Sequence, residues 1–175
     1  MSDGSLDDLI KSHIRDVPDF PEPGISFKDI TPLLADGPAF AAVIGALAAG
    51  PGPIDKVAGI EARGFILAAP VAIRLGCGFV PVRKAGKLPA AAYREDYQLE
   101  YGTATIEVHT DAFAPGERVL IVDDVLATGG TAEAAVELVR RSGAEVAGVS
   151  VLLELAALNG RSRLAGLEFR SLISV

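Results

Sequence analysis

Short apolar segments alternate along this chain with longer segments in which apolar residues recur at helical spacing. Apolar runs that predict buried strands cover residues 54–60, 78–82, 119–122 and 145–153. Helical periodicity covers residues 6–15, 39–49, 63–75 and about 132–142. Residues 103–109 alternate between polar and apolar side chains, which predicts a half-exposed strand. This order of strands and helices predicts an α/β fold with an open, mostly parallel twisted sheet flanked by helices.

Composition narrows the class of protein without indicating a function. The chain has 175 residues, of which 50% are hydrophobic and 22% charged, so we expect one globular domain, residues 1–175, with a sizeable core. No apolar run approaches the roughly 18–20 residues of a membrane span. The net charge of −7 argues against a nucleic-acid or anionic-membrane partner. Cys77 is the only cysteine and the N-terminus is polar and acidic, so we expect no secretory signal and a cytoplasmic location.

The strongest candidate for a binding site begins where the apolar run at 119–122 ends. Asp123 and Asp124 come first, and a Thr/Gly loop then leads into the helix predicted from residue 132. That loop includes Ala127, Thr128, Gly129, Gly130 and Thr131. A loop that enters a helix N-terminus directs backbone N–H groups towards an anion, and its glycines let a phosphate approach closely. The carboxylates would repel a phosphate but can accept hydrogen bonds from sugar hydroxyls or meet a cation, so the segment predicts a sugar-phosphate site.

Two familiar phosphate motifs are missing from this segment. It has neither the P-loop lysine nor the dinucleotide-binding glycine pattern, so it predicts neither a nucleoside triphosphate site nor a dinucleotide site. A tight strand-to-helix turn capped by Asp is the structural alternative. That alternative explains one Asp and one Thr, but not the whole string.

Cations follow two other predicted strands. Arg63 opens a helix after the first of these strands, and Gly64 leaves room beside it. The second strand is followed by Arg83, Lys84 and Lys87. Ligands of open α/β sheets bind beyond the carboxyl ends of the strands. In a chain with only 16 Lys and Arg against 23 Asp and Glu, these cations predict a second anion-binding region, with solvated surface charge as the alternative.

The string from Asp123 to Thr131 resembles the phosphoribosyl-pyrophosphate (PRPP) signature of the type I phosphoribosyltransferases. PRPP carries a 5′-phosphate and a pyrophosphate, which matches the two predicted anion-binding regions. Residues of about 85–102 form a polar segment that is longer than a usual connection, and such loops are often lids. Within it, Glu100 is a candidate to act on a proton of the base or to stabilise positive charge. Pairing and packing of Glu100 and Tyr101 within a hairpin is the alternative.

The N-terminal segment narrows the resemblance. Residues 18–34 are rich in proline but too apolar for a disordered leader, and Phe27 is a candidate to stack on a planar base. A core position is the commoner outcome for such a residue. Together with residues 61–65, 83–89, 99–102 and 123–131, this segment resembles the adenine phosphoribosyltransferases. The motifs occur in the order of that family, from residue 18 to about 160.

The resemblance implies the type I phosphoribosyltransferase fold, with a flexible lid loop and a small N-terminal hood over residues of about 1–35. It implies a homodimer that converts adenine and PRPP to AMP and diphosphate, with Mg²⁺ bound through PRPP rather than by a direct protein ligand. The 5′-phosphate would lie on Ala127 to Thr131 and the ribose hydroxyls at Asp123 and Asp124. Pyrophosphate would meet Arg63, Arg83, Lys84 and Lys87. Adenine would lie among Ser26, Phe27, Lys28 and Leu155. Glu100 and Arg63 would be catalytic, with Tyr101 in the lid.

Two other functions fit many of the same residues. A transferase for another purine would recognise an exocyclic oxygen with a donor such as a late lysine, and residues 145–160 contain no lysine. A PRPP- or purine-sensing regulator would keep the fold and lose catalysis. The presence of Glu100, with no added DNA-binding domain or basic face, argues against a regulator.

Overall fold

The structure, a computed structural model, describes residues 3–50, 52–98 and 102–175. The chain divides into two compact units, residues 1–46 and 47–175. None of the helices in the described ranges has the length and apolar character that crossing a membrane requires.

In its described residues, the N-terminal unit contains three helices and a small two-stranded sheet. Its elements are α1 (Asp3–Ser12), β1 (Arg15–Val17), β2 (Phe27–Asp29), α2 (Thr31–Ala35) and α3 (Gly37–Leu47). The strands β1 and β2 are antiparallel, with Val17 opposite Phe27. The first helix ends three residues earlier than predicted, because the chain from Arg15 onwards pairs with β2 rather than continuing the helix.

The described part of the larger unit contains a seven-stranded sheet. Its elements are β3 (Lys56–Ile60), α4 (Arg63–Leu75), β4 (Gly78–Lys84), β5 (Ala92–Gln98), β6 (Thr103–His109), β7 (Arg118–Leu126), α5 (Gly130–Arg141), β8 (Glu145–Glu154), two short 3-10 helices (Ala156–Leu158 and Gly160–Leu164) and β9 (Phe169–Ser174). The strand order is β5-β6-β4-β3-β7-β8-β9. Strands β4, β3, β7, β8 and β9 pair in parallel, whereas β6 is antiparallel to both of its neighbours. This arrangement confirms the predicted open, mostly parallel sheet.

Helices cover both faces of the sheet, and the alternation of side chains along each strand decides which helix each residue meets. Ile60 and Ile121 belong to a buried cluster with Leu138 of α5. The neighbours of Gly59 in β3, Ala58 and Ile60, belong to this cluster, whereas Gly59 faces α4 on the opposite side of the sheet. A Cβ at Gly59 would approach the Cβ of Ala68 in α4 to 2.6 Å. The glycine therefore allows α4 to pack closely on β3, next to the strand ends that carry the predicted site.

The segment predicted as a lid loop contains a strand. Residues 92–98 form β5 and pair antiparallel with β6, so the prediction of a continuous loop from 85 to 102 is wrong for this part. Tyr93 and Tyr97 pack against the core cluster, and this long-range packing stabilises a strand in a sequence that is mostly polar. Whether the segment moves as a lid stays a prediction. The last strand, β9, was also not predicted.

Candidate active site

The two carboxylates lie inside β7 rather than after it. We expected Asp123 and Asp124 to end the strand, but β7 continues to Leu126 because its pairing with β8 continues that far. Its pairing with β3 ends at Val122. The carboxylates therefore lie just beyond the end of the β3–β7 pairing, on the part of β7 that pairs with β8.

Arg63 joins this carboxylate pair from the neighbouring strand end. It is the first residue of α4, and its Nη2 lies 2.7 Å from Oδ2 of Asp124, a residue that is 6% exposed. Gly64 makes the approach possible, since a Cβ there would lie 2.7 Å from Oδ1 of Asp123. The structure thus brings Arg63, Asp123 and Asp124 together, as expected for the carboxyl ends of adjacent parallel strands.

The environment of Asp123 disfavours its negative charge. Burial raises the pKa of Asp123 well above its usual value, and the adjacent charge of Asp124 raises it further. The backbone N–H of Asp124, which donates to Oδ1 of Asp123 at 2.8 Å, and the Arg63 guanidinium act in the opposite direction without outweighing burial. A group that donates hydrogen bonds to this pair would relieve the cost, and sugar hydroxyls are donors of this kind.

The Thr/Gly loop forms the entrance to α5. Gly129 has a φ of +84°, a conformation that favours glycine, and α5 begins at the next residue. The loop and Asp123 line one small cavity of about 70 Å³. Thr128 is exposed and Thr131 is half-buried. The cavity therefore combines a helix N-terminus, two hydroxyls and a carboxylate, as the sugar-phosphate prediction requires.

Gly160 was not predicted as part of the site, although its backbone packs directly against this loop. A Cβ at Gly160 would overlap the carbonyl oxygen of Ala127 and lie 2.9 Å from the nitrogen of Gly129. A Cβ at Gly129 would in turn lie 2.5 Å from the carbonyl oxygen of Gly160. The two backbones are thus in direct contact, and only glycine fits at either position. A glycine in a polar segment gave no local sign of this role.

Arg83, Lys84 and Lys87, which we call the cationic segment, lie at the end of β4 and just after it. This strand continues through Lys84, so Arg83 and Lys84 end the strand rather than follow it. The Arg83 Nε lies 3.3 Å from Oε2 of Glu61, and its Nη1 donates to the carbonyl oxygen of Lys87 at 3.2 Å. The backbone N–H of Lys84 donates to the same Glu61 oxygen at 2.9 Å. Glu61 therefore holds the segment, while the side chains of Lys84 and Lys87 are exposed.

After Glu61, Glu107 is the second carboxylate that binds the cationic segment, and the sequence pattern did not predict this role. The alternation along residues 103–109 predicts that it faces solvent, but it is 1% exposed. It accepts the backbone N–H groups of Lys87 and Leu88, both at 3.1 Å, and the Nε of Arg94 at 3.2 Å. Burial raises the pKa of Glu107, but these donors outweigh it and hold the pKa below its usual value. A buried, ionised carboxylate therefore fixes the turn that carries Lys87.

Glu61 shows the same balance. Burial raises its pKa, while the N–H of Lys84 and the charge of Arg83 lower it by more, so the pKa lies below its usual value. The peptide bond between Glu61 and Ala62, which leads from β3 into α4, is cis.

The residues predicted to bind the base fall in both units. Ser26 is exposed, and the half-buried ring of Phe27 packs edge-to-face on Phe20 with ring centroids 5.2 Å apart. Lys28 forms an ion pair with Asp16, with 2.5 Å between its Nζ and Oδ1. In the larger unit, the N–H of Leu155 donates to the carbonyl oxygen of Leu126 at 2.9 Å, which fixes Leu155 at the end of β7. Their assignment to adenine stays a prediction.

The predicted lid residues Glu100 and Tyr101 lie outside the described residues. The chain just before them borders the Thr/Gly loop, because a Cβ at Gly130 would lie 3.1 Å from the carbonyl oxygen of Gln98 and 3.5 Å from the ring of Tyr97. At the other end of α5, Arg141 bonds to the carbonyl oxygen of Arg94 at 2.6 Å and to Glu95. The strand β5 is thus held along the length of α5.

Comparison with known proteins agrees with this geometry. The model of the phosphoribosyl transferase domain family matches residues 33–165. The adenine phosphoribosyltransferase of Acidothermus cellulolyticus is 61% identical, with 100% of both chains covered. The crystal structure of adenine phosphoribosyltransferase from Rhodothermus marinus has a TM-score of 0.94 at 53% identity, covering 98% of this chain and 99% of that chain. The enzyme from Saccharomyces cerevisiae has a TM-score of 0.92 at 38% identity, covering 97% and 99%. The chain therefore belongs to the phosphoribosyltransferase family and, within it, to the adenine phosphoribosyltransferases.

Proposed function

We propose that this protein transfers the 5-phosphoribosyl group of PRPP to adenine, giving AMP and diphosphate in purine salvage. The observation that carries the proposal is the meeting of Arg63 with the Asp123–Asp124 pair beside the cavity of the Thr/Gly loop. Its relatives support the choice of substrates. The Saccharomyces cerevisiae enzyme was crystallised with an imino-altritol bisphosphate and adenine, and a Trypanosoma brucei relative with AMP, pyrophosphate and ribose 5-phosphate.

The reaction breaks the bond between C1′ of PRPP and a pyrophosphate oxygen, and it forms a bond between C1′ and N9 of adenine. Backbone N–H groups of residues 127–131 bind the 5′-phosphate, and the hydroxyls of Thr128 and Thr131 add donors. The carboxylates of Asp123 and Asp124 accept the ribose hydroxyls, which orients C1′ for attack. The proton of adenine N9 passes to a base, a role that we assign to Glu100 on the family resemblance.

The pyrophosphate leaves towards the cations at the neighbouring strand ends. Arg63 is near the carboxylate pair, and Lys84 and Lys87 offer exposed ammonium groups. Arg83 bonds to Glu61 and to the carbonyl oxygen of Lys87, so it both shapes the segment and contributes charge. Negative charge that develops on the leaving group is stabilised by cations that are already oriented.

The base and lid assignments complete the proposal. On the family resemblance we assign adenine binding to Ser26, Phe27, Lys28 and Leu155, with stacking as the role of the Phe27 ring. Tyr101 and Glu100 belong to the lid, which keeps water from the positive charge that develops at C1′.

We propose that Mg²⁺ enters with PRPP. Magnesium commonly binds one or two carboxylates together with substrate phosphates and keeps several waters. The described residues contain no group of three or more His, Cys, Asp or Glu side chains that could hold a metal. In this proposal the ligands of the ion are oxygens of PRPP and water, and the nearby carboxylates of Asp123 and Asp124 favour a cation through their charge. When bound, the ion neutralises part of the pyrophosphate charge.

Two further proposals concern the protein as a whole. A homodimer fits the family resemblance and the exposed apolar side chains of Ile66 and Ile73 on α4, which are 44% and 82% exposed. Analytical ultracentrifugation tests the dimer, and a single species with the mass of one chain at micromolar concentration would contradict it. A cytoplasmic location follows from the acidic composition and the single cysteine, and fractionation of cells tests it.

The test of the activity is a spectrophotometric screen of adenine, hypoxanthine, guanine and xanthine with PRPP and Mg²⁺. We expect turnover of adenine, with AMP and diphosphate formed in equal amounts. Turnover of hypoxanthine without adenine would contradict the proposal. Tight binding of PRPP without turnover of any base would favour a sensing role instead.

A further inference from the structure

A bidentate ion pair joins the end of β8 to the second 3-10 helix. Glu154 is the last residue of β8 and is only 5% exposed. The Arg161 Nε donates to its Oε1 at 3.0 Å and the Nη2 to its Oε2 at 2.6 Å. Ser171 of β9 donates to the same carboxylate at 3.1 Å, and the guanidinium lies 4.6 Å from the ring centroid of Phe169. Both partners are therefore fixed in position and orientation by groups other than each other.

This ion pair joins the two residues on either side of a short segment, and that segment contacts the candidate active site. The segment comprises residues 155–160. Its first residue, Leu155, donates its N–H to the carbonyl oxygen of Leu126, just before the Thr/Gly loop. Its last residue, Gly160, contacts the backbone of Ala127 and Gly129 and is adjacent in sequence to Arg161. The position of Arg161 therefore determines how closely Gly160 approaches the loop.

A second ion pair on the same 3-10 helix provides a contrast. Arg163 bonds to Glu133 of α5 at 2.8 Å, but the side chains are 46% and 45% exposed and the contact is made through one nitrogen. Exposed single contacts of this kind contribute little, because solvent screens them and both side chains lose freedom. The Arg161 side chain is itself 56% exposed, so the difference lies in its partner: the Glu154 carboxylate is buried and bound at both oxygens, which makes this pair the stronger constraint on the segment.

We infer that Glu154 and Arg161 are positioning residues of the 5′-phosphate site: their ion pair holds Gly160 against the Thr/Gly loop and so maintains the loop conformation that accepts the phosphate. This rests on the proposed function, since it takes residues 127–131 as the 5′-phosphate site. Neither residue touches substrate in this scheme. They act through Gly160, whose backbone leaves no room for the loop to shift in its direction.

The inference predicts that loss of the ion pair weakens one class of ligand and not another. If the ion pair only stabilised the fold, its loss would lower the melting temperature and affect all ligands alike. If it positions the loop, its loss weakens ligands that carry the 5′-phosphate and spares those that bind at the cationic segment. Ribose 5-phosphate and pyrophosphate separate the two, because each carries one of the anionic groups of PRPP.

The experiment measures binding of ribose 5-phosphate and, separately, of pyrophosphate with Mg²⁺ by isothermal titration calorimetry. The variants are Arg161→Ala, Arg161→Lys and Glu154→Gln, with Arg163→Ala as the control on the same 3-10 helix. For Arg161→Ala we expect the Kd of ribose 5-phosphate to rise about tenfold or more, while that of pyrophosphate stays within about twofold. Arg161→Lys keeps the charge but loses the fork, so we expect an intermediate rise. In steady-state assays the KM for PRPP should rise more than kcat falls.

Several outcomes would overturn the inference. They are unchanged ribose 5-phosphate binding in Arg161→Ala, an equal loss in Arg163→Ala, and a parallel loss of pyrophosphate binding. If Arg161→Ala does not fold by circular dichroism, the same comparison is made with Arg161→Lys and Glu154→Gln, where unchanged ribose 5-phosphate binding would overturn it equally. Wild-type protein that bound pyrophosphate but not ribose 5-phosphate would contradict the proposed 5′-phosphate site itself. Normal wild-type binding with unaffected variants would overturn the positioning role alone.

Discussion

The two regions that we propose to bind anions are shaped by different physical means. The Thr/Gly loop takes its form from backbone packing, in which Gly129 and Gly160 touch without side chains between them. The cationic segment takes its form from buried carboxylates, because Glu61 and Glu107 accept its backbone N–H groups. A site made from backbone N–H groups needs no charged side chain. A site made from cationic side chains needs other groups that separate the like charges and orient them towards the anion. In an acidic chain, carboxylates that do this can lie within reach of an anion site as long as their oxygens are already occupied.

The largest expected effect comes from the carboxylates that lie between the two regions. Replacing Asp123 and Asp124 together with alanine should lower kcat/KM by about three orders of magnitude, because the ribose loses its acceptors and Arg63 loses its partner. Steady-state kinetics measure the loss, and circular dichroism checks that the variant is folded. Near-normal turnover would show that these carboxylates only shape the strand end.

A steric change tests whether backbone packing shapes the Thr/Gly loop. Gly160→Ala should raise the KM for PRPP by about a hundredfold and lower the free energy of unfolding by about 1–3 kcal/mol, because the new Cβ overlaps the Ala127 carbonyl. Gly166→Ala is a matched control for a glycine near the same segment, since nothing lies within 4 Å of its Cβ; its positive φ lets it report backbone strain alone. Equal effects of the two changes on KM would contradict steric shaping of the loop.

An electrostatic change tests whether a carboxylate shapes the cationic segment. Glu107→Gln keeps one acceptor oxygen but removes the charge, so the Kd of pyrophosphate should rise about tenfold while ribose 5-phosphate is little affected. Calorimetry with the two ligands measures this selectivity. Weaker binding of ribose 5-phosphate alone would contradict the claim that Glu107 shapes the cationic segment rather than the Thr/Gly loop.

The pH dependence of stability distinguishes the two kinds of carboxylate. The pKa of Glu107 is lowered in the folded protein, so its contribution is present above its unfolded value and is lost as pH falls through the folded pKa. Glu107→Gln should therefore destabilise the protein at pH 7, by a margin that shrinks below about pH 4.

The smallest expected effect has the opposite sign. The pKa of Asp123 is raised, so its charge costs stability above the folded pKa, and that cost disappears as pH falls. Asp123→Asn should raise the free energy of unfolding at pH 7 by about 1 kcal/mol and lose this advantage in acid, while activity falls. Urea denaturation at several pH values measures both variants. As pH falls, the stability relative to wild type should rise for Glu107→Gln and fall for Asp123→Asn, and a change of the same sign in both variants would contradict the assigned causes.

Local patterns in the sequence predicted the elements whose ends are marked by local chemistry. The helix Arg63–Leu75 was predicted to the residue, because Gly76 stops it in a left-handed conformation, with a φ of 69°. The position of Arg63 and the carboxylates at one edge of the sheet followed from the rule that parallel strands end there, but the ion pair between Arg63 and Asp124 was not predicted. Such features depend on residues close in sequence or on general topology.

The parts that were missed depend on contacts between distant residues. Glu107 lies on β6, twenty positions from the Lys87 N–H that it accepts, so no pattern within its own strand indicates that it is buried. The strand β5 forms because β6 and α5 hold it, although its own sequence is polar. Gly160 contacts a loop about thirty residues earlier in the chain. Pairings of this kind are decided by the folded sheet.

The contact between Gly129 and Gly160 also restricts how this protein can change over time or in the laboratory. The backbone at each position excludes a methyl group at the other, so a substitution at either is disfavoured whichever residue the other position carries. A route to a different sugar phosphate that reshapes this backbone would need several simultaneous mutations. The side chain of Thr128 is exposed, so a change of side chain there adds no atoms inside this backbone contact. Variation in ligand preference is therefore most accessible there, one substitution at a time.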